Sequence, residues 1–221
     1  MGEKMIKPGP NLCMLPMEER HVPFLQNLQM DWDNADLYRM RNVIYSVFET
    51  VAWYRNVLLN NESLRYFIIA ANDDPNKNPV GLVYYSNISQ KARVIEQGIY
   101  LEKKLRAKPT AILEVIHISA RYVFETLNYR KIKMHLTERR KSIMRALQAI
   151  DWVVEGRFIK EVFFWGKYYD EYRLSLFDES YHKLVAEFEA SGNDYQRYLK
   201  ARLKNMPSAD IKSATFQIGG D

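Results

Sequence analysis

The sequence predicts a mixed α/β fold of the α+β kind, with one central sheet covered by helices on both faces. Three observations carry that prediction. Segments of helical periodicity alternate with short runs rich in β-branched and aromatic residues along most of the chain. Turn-forming clusters bound those runs, among them the Asp73–Asn78 stretch "DDPNKN" and Trp165-Gly166-Lys167. Finally, 221 residues of which 47% are hydrophobic suffice for one domain with a substantial core and some decoration.

The elements follow in order. Residues 1–10, with Gly2, Pro8, Gly9 and Pro10, read as a flexible leader. Residues 11–17, "NLCMLPM", read as a short strand, and residues 18–31 as a helical segment in which Val22, Leu25 and Leu28 recur at the helical period. A second helical stretch, 49–61, places Val51, Tyr54, Val57 and Leu58 on one face. Residues 65–72, 79–89 and 92–102 read as three strands. Ile112, Val115, Ile116, Ser119, Val123 and Thr126 or Leu127 then define a long amphipathic helix closing near Asn128. A strand at 131–138 and a helix at 141–151 follow, then two strands within 161–177 around the Trp165-Gly166-Lys167 turn. One or two helices over 180–205, broken at Ser191-Gly192, and a flexible tail at 206–221 complete the chain.

Composition excludes several function classes. No apolar run approaches the roughly 20 residues that span a bilayer, and the first thirty residues lack the apolar stretch of a signal peptide, so a cytoplasmic protein with no membrane partner is expected. The single cysteine, Cys13, rules out an internal disulfide and a cysteine-rich metal site, and no metal is expected. The formal charge of +5 suits acidic partners: nucleotides, phosphorylated cofactors, RNA or an acidic protein surface. Basic residues cluster at 103–108 (KKLRAK) and 139–141 (RRK). Phosphate-binding Walker loops, G-x-S-x-G elbows and H-E-x-x-H motifs are absent, so hydrolase and nucleotidase readings have no anchor. Tyr195, Tyr198, Leu199 and Arg202 share a face interleaved with basic residues, which suits packing on the domain or a second subunit, as in a homodimer, or contact with nucleic acid or anionic lipid.

Three stretches in sequence carry a family resemblance: "PVGLVYYSNIS" (79–89), "RVIEQGIYLEKKLRAKPTAILEVIHISARYVFETLNYRKIKMHLTE" (93–138) and "WVVEGRFIKEVFFWGKYYDEYRLSLF" (152–177), the last with Glu-Gly-Arg ahead of a strand. Over about residues 11–180 the chain resembles the GNAT N-acetyltransferase superfamily, in particular the branch with the ribosomal-protein and nucleotide-sugar N-acetyltransferases. The resemblance implies a splayed central sheet, an acyltransferase domain at 11–180 and a helical extension at 181–205. It implies acetyl-CoA as co-substrate, with the pantetheine arm lying along Ile99, Tyr100 and Leu101. The pyrophosphate loop of the family, R/Q-x-x-G-x-G/A, falls on Arg106, Ala107, Lys108, Pro109, Thr110 and Ala111.

Two departures stand out. Pro109 occupies a glycine position and removes an N–H that an anion would use; one charge-assisted hydrogen bond is worth roughly 1.5–3 kcal/mol, which basic side chains nearby would have to replace. The usual Asn of an N-x-x-S arrangement falls on Arg139 or Arg140, with Ser142 following, and the usual acidic Tyr falls on Ala146 or Leu147, which have no proton to give. By the same resemblance Glu96 is the candidate base, directly or through water; the alternative is an ion pair with a basic neighbour. His135, on the adjacent strand, can shuttle protons near neutral pH or serve only the structure. Tyr168 is the candidate proton donor, and Tyr84, Asn87 and Trp165 the candidate acceptor-binding residues. Two functions follow: an acyl-CoA-dependent N-acyltransferase acting on a primary amine of a small molecule, sugar nucleotide or peptide N-terminus, or a catalytically silent binding protein of the same fold with a nucleic-acid or protein partner.

Overall fold

A computed structural model describes residues 6–30 and 46–204. Their elements are β1 (Leu12–Pro16), α1 (Val22–Met30), α2 (Val47–Trp53), β2 (Arg65–Ala71), β3 (Pro79–Ser89), β4 (Val94–Leu101), α3 (Lys103–Arg106), α4 (Pro109–Arg121), β5 (Lys131–Thr137), α5 (Lys141–Ala149), β6 (Val153–Phe164), β7 (Lys167–Phe177), α6 (Asp178–Ala190) and α7 (Tyr195–Lys204). The outer parts of the leader (1–5) and the tail (206–221) lie outside the described residues, as does Asp31 of the first helical segment.

The strands form one seven-stranded sheet in the order β1-β2-β3-β4-β5-β7-β6. Every ladder is antiparallel except β4–β5. That parallel pair runs only from Val94↔Lys131 to Glu96↔Lys133, after which the two strands part. Strand alternation divides the apolar residues between two cores. Ile69, Val83, Tyr85, Ile95 and Ile132 face α4, α5, α6 and α7 in the larger core, whereas Cys13, Ile68, Leu82 and Tyr100 face α1 and α2 in the smaller. Fully buried Val115, Ile118 and Val123 each contribute about 1.5–3 kcal/mol by transfer from water.

Local chemistry explains the boundaries. Ser46 and Glu49 form a reciprocal capping box at the start of α2, and Pro109 opens α4 at the position where a missing N–H costs the helix nothing. The long helix expected through Leu127 is α4 followed by one π-helical turn, Tyr122–Thr126, and Asn128 at φ 56° ends it. The second helical segment has the same build, α2 passing into a π turn at Tyr54–Leu58. Trp165 and Gly166, at φ 46° and 75°, make the tight β6–β7 turn, a conformation that matches the twist of the two strands.

Three boundaries differ from the sequence expectation. The strand before the hairpin starts at Val153, eight residues before the expected Glu161, so Glu155-Gly156-Arg157 lies within β6 and beside a bulge instead of ahead of the strand. Bulging and exposure break its alternation, which hid it from a periodicity reading. β4 begins at Val94 because Arg93 adopts φ 53° and closes a turn. Residues 6–10 are tied down: the Gly9 carbonyl accepts from Asn72 Nδ2 at 2.8 Å, and Ile6 packs on the larger core.

Candidate active site

The parting of β4 and β5 leaves a gap in the sheet with two hollows beside it. On one face a cleft is bounded by Tyr84, Glu96, Gly98, Tyr100, His135 and Glu171; on the other an apolar crevice is bounded by Arg106, Ile112, Ile116, Ile143 and Leu147. Ile99, Met134 and Leu136 line both. The first cleft, partly open to solvent, has room for a water or an ammonium group. An extended chain lying between the two strands would meet the edge of β4 beyond Glu96, where the β5 ladder has ended.

The polar cleft is built by alternation on three strands. Glu96 on β4 and His135 on β5 project to the same side, and the antiparallel β5–β7 register, Thr137↔Glu171, brings Glu171 alongside. His135 Nδ1 lies 3.0 Å from Glu171 Oε2, and its Nε2 lies 3.6 Å from Glu96 Oε2, beyond a direct hydrogen bond but within ion-pair range. Burial opposes protonation of His135, yet the Glu171 and Glu96 carboxylates outweigh it and raise its pKa above the ordinary imidazole value. Asn87, at φ 48°, donates Nδ2–H to Glu96 Oε2 at 2.9 Å and so fixes the carboxylate.

The floor beside Glu96 is aromatic. Tyr84 stacks between Tyr66 and Tyr100 at centroid distances of 5.5 and 5.7 Å, and Trp53 meets Tyr66 edge-on. The Tyr84 ring lies over Gly98 so closely that a Cβ there would fall 1.9 Å from Cε1. Glycine is required at this point by contact, which gives Gly98 a role in shaping the cleft.

The loop at 106–111 differs from an amide cradle by more than its proline. The α3 turn takes up its N–H groups: Arg106 N donates to the Glu102 carbonyl (2.8 Å), Ala107 N to Lys103 (3.2 Å) and Lys108 N to Leu105 (2.8 Å). Ala111 N donates to the Lys108 carbonyl at 3.0 Å as α4 begins, and Pro109 has no N–H. Side-chain charge is available beside it: Lys103, Lys104 and Lys108 are exposed, and Arg106 lines the apolar crevice.

The other expected residues are placed as follows. Arg139, Arg140 and Ser142 stand at the entry to α5, with Arg139 and Ser142 exposed. The Arg139 guanidinium lies 4.6 Å over Trp165 and 5.6 Å over Tyr169, so a residue expected at the cofactor and one expected at the acceptor meet on the hairpin surface. Tyr168 is 63% exposed, pairs its ring with Phe163 at 4.9 Å and is not among the residues lining the polar cleft. Tyr100 stacks its ring on Tyr84 and lines the polar cleft. Glu171, which the sequence reading passed over, is the third member of the Glu96–His135 group; only the β5–β7 register places it there. His117 sits among Arg121, Tyr181, Phe188 and Tyr195 against the larger core. No group of residues suited to a metal ion occurs among the described residues, and none of their helices is long and apolar enough to cross a membrane.

No family model matches the sequence. The chain is 26% identical over 170 residues to the spermidine N(1)-acetyltransferase of Vibrio cholerae, covering 77% of this chain and 95% of that protein. Among solved structures it superposes on the Vibrio cholerae spermidine N-acetyltransferase in complex with CoA and spermine with a TM-score of 0.69, at 22% identity over 77% of this chain and 98% of that one. A chimera of the same enzyme gives a TM-score of 0.68 at 24% identity over 77% and 98%. These relatives act on polyamines, outside the ribosomal-protein and nucleotide-sugar branch that the motifs suggested. The splayed β4–β5 pair, the mixed sheet and these superpositions together give the chain the fold of the GNAT N-acetyltransferases.

Proposed function

We propose that the chain is an acyl-CoA-dependent N-acetyltransferase that acetylates a primary amine of a small polycation of the polyamine class. The observation that carries this reading is the parting of β4 and β5, with Glu96, His135 and Glu171 lining the cleft on one side and Arg106 the crevice on the other. Acetyl-CoA as co-substrate supplies a thioester carbonyl; the chain's residues that fit it are the β4 edge at Ile99–Leu101 for the arm and Arg106, Lys103, Lys104 and Lys108 for the phosphates.

The residues on the opposite face suit the acceptor. An ammonium entering the cleft meets the Glu96 and Glu171 carboxylates, and a cation there is favoured where an anion would be repelled. Attack on a carbonyl needs that amine neutral, so a proton must leave it for Glu96 or for His135 behind it. The Tyr84–Tyr100 stack offers an apolar face to the methylene stems of such an acceptor. The curated relative named for spermidine supports this acceptor class over a sugar or a peptide. The silent-protein reading draws support from the altered 106–111 loop, from Arg139 and Arg140 at the usual Asn position and from the missing Tyr, whereas the Glu96–His135–Glu171 group in the cleft favours proton transfer. Residues 11–180 then form the catalytic unit, with the helices that follow packed on α4 and α5 as its brace, and the protein works in the cytoplasm.

The test is acetyl transfer from acetyl-CoA to spermidine, spermine, an N-terminal peptide and a 4-amino sugar nucleotide, read as thiol release. Polyamines should turn over best, and Glu96→Gln should lower kcat/KM by about 10²–10⁴-fold. Absence of both thiol release with every amine and acetyl-CoA binding at millimolar concentration would overturn the proposal.

A further inference from the structure

Resting on the acetyltransferase reading, we infer that Glu171 is a positioning residue that orients His135 so that its Nε2 receives the proton removed from the acceptor amine. Two geometric facts point there. Glu171 is 2% exposed and lies 3.0 Å from His135 Nδ1, so in the neutral imidazole the Nδ1–H donates to Glu171 and the lone pair stands on Nε2. That Nε2 faces Glu96 at 3.6 Å across the mouth of the acceptor cleft. The spacing is too long for a settled hydrogen bond and short enough for one proton to pass once an ammonium draws the groups together.

A carboxylate alone is a poor base for an alkylammonium, because its basicity lies far below neutral pH. An imidazole is a stronger base than a carboxylate, and the Glu171 and Glu96 carboxylates raise the pKa of His135 further despite its burial. The charged and titratable groups around it are Glu96 and Tyr100 from β4, Tyr84 from β3, Lys133 on its own strand, and Glu171 with Arg173, the register partner of His135, from β7. The proton count closes as follows. The acceptor R–NH3+ loses one proton to Nε2, through Glu96 or directly, and the neutral nitrogen attacks the thioester carbonyl, forming the C–N bond. Collapse of the adduct breaks the C–S bond, and the surplus proton on nitrogen leaves with the thiolate as the free thiol. The imidazolium, held between Glu96 and Glu171, returns its proton to solvent.

The sequence offered no sign of this group, since Glu171 is one of two adjacent acidic residues, Asp170 and Glu171, on the hairpin's return strand. The structure divides their labour. Asp170 accepts from Arg157 Nε at 2.7 Å and from Lys160 N at 2.8 Å and pins the β6 bulge, while Glu171, on the other side of the strand, turns to His135.

The experiment follows the His135 ring by NMR through pH titration in wild type and in Glu171→Gln, with kcat/KM profiles for the best polyamine and acetyl-CoA Kd measured on the same samples. In wild type the neutral ring should carry its proton on Nδ1; an Nε2–H tautomer would overturn the inference without any variant. In Glu171→Gln the ring's pKa should fall by about one unit, the acidic limb of kcat/KM should move down in parallel, and the plateau should drop at least tenfold with acetyl-CoA Kd unchanged. An unchanged ring titration and unchanged acidic limb in a folded variant would reduce Glu171 to a structural residue. If wild type turns over no amine and binds no acetyl-CoA, the acetyltransferase reading fails by itself, and the tautomer and titration still decide whether Glu171 governs His135.

Discussion

The substitution His117→Gln should flatten the stability of the protein between pH 7 and pH 5. His117 lies on α4 where α6 and α7 cover it, its Nδ1 2.8 Å from the Tyr195 hydroxyl and its Nε2 3.3 Å from Arg121 Nη2, with the Phe188 ring 5.1 Å away. Burial, and then the Arg121 charge, lower its pKa to about 4 from 6.5. The unfolded chain's imidazole takes a proton below pH 6.5 while the folded one resists until about pH 4, so stability is present above 6.5 and is lost as pH falls through that window. A shift of that size costs about 3.4 kcal/mol when complete and about 2 kcal/mol at pH 5. For a chain of this length the latter is about 4–8 °C in Tm. Gln keeps an acceptor for Tyr195 and has no proton to gain, so it should abolish this component. His135, shifted in the opposite sense, is present in both proteins and cancels in the difference. Urea melts at pH 7.5, 6 and 5 read the effect; equal pH dependence in the two proteins would refute the burial argument.

Three further outcomes follow from the same structure. Pro109→Gly should change acetyl-CoA Kd by less than about threefold, because the neighbouring amides already serve the α3 turn, while raising NaCl from 50 to 500 mM should weaken binding by about an order of magnitude; calorimetry reads both, and a large gain in the glycine variant with little salt effect would show a working amide cradle. Gly98→Ala should displace the Tyr84 ring from its place over β4 and raise the acceptor KM at least tenfold with the far-ultraviolet spectrum unchanged; an unaltered KM would show that Tyr84 is no part of the acceptor site. Glu114 is 2% exposed and accepts from Asn11 N at 2.6 Å and Leu12 N at 2.8 Å, so Glu114→Leu should destabilise by about 1–3 kcal/mol in chemical denaturation, since the buried Leu12 N–H loses its partner.

The sequence by itself determined the element inventory wherever one physical pattern governed a segment. Ile112 to Val123 spelled out α4 because its apolar stripe faces one core throughout, and Trp165-Gly166-Lys167 marked the hairpin because a left-handed turn was required there. Alternation along β4 put Glu96 on the face opposite Ile95 and Gln97, as the structure has it, with Gln97 turned to Ser119 on α4. Periodicity failed in β6, where a bulge and solvent on one side remove the alternation it needs. What only the tertiary structure decided is the company each residue keeps. Whether Glu171 meets His135, whether Tyr168 reaches the cleft, whether His117 is solvated or enclosed, and where the amides of Arg106 to Lys108 find their acceptors depend on strand register and on which helices cover the sheet. Those are contacts between residues far apart in the chain, and no local spacing encodes them.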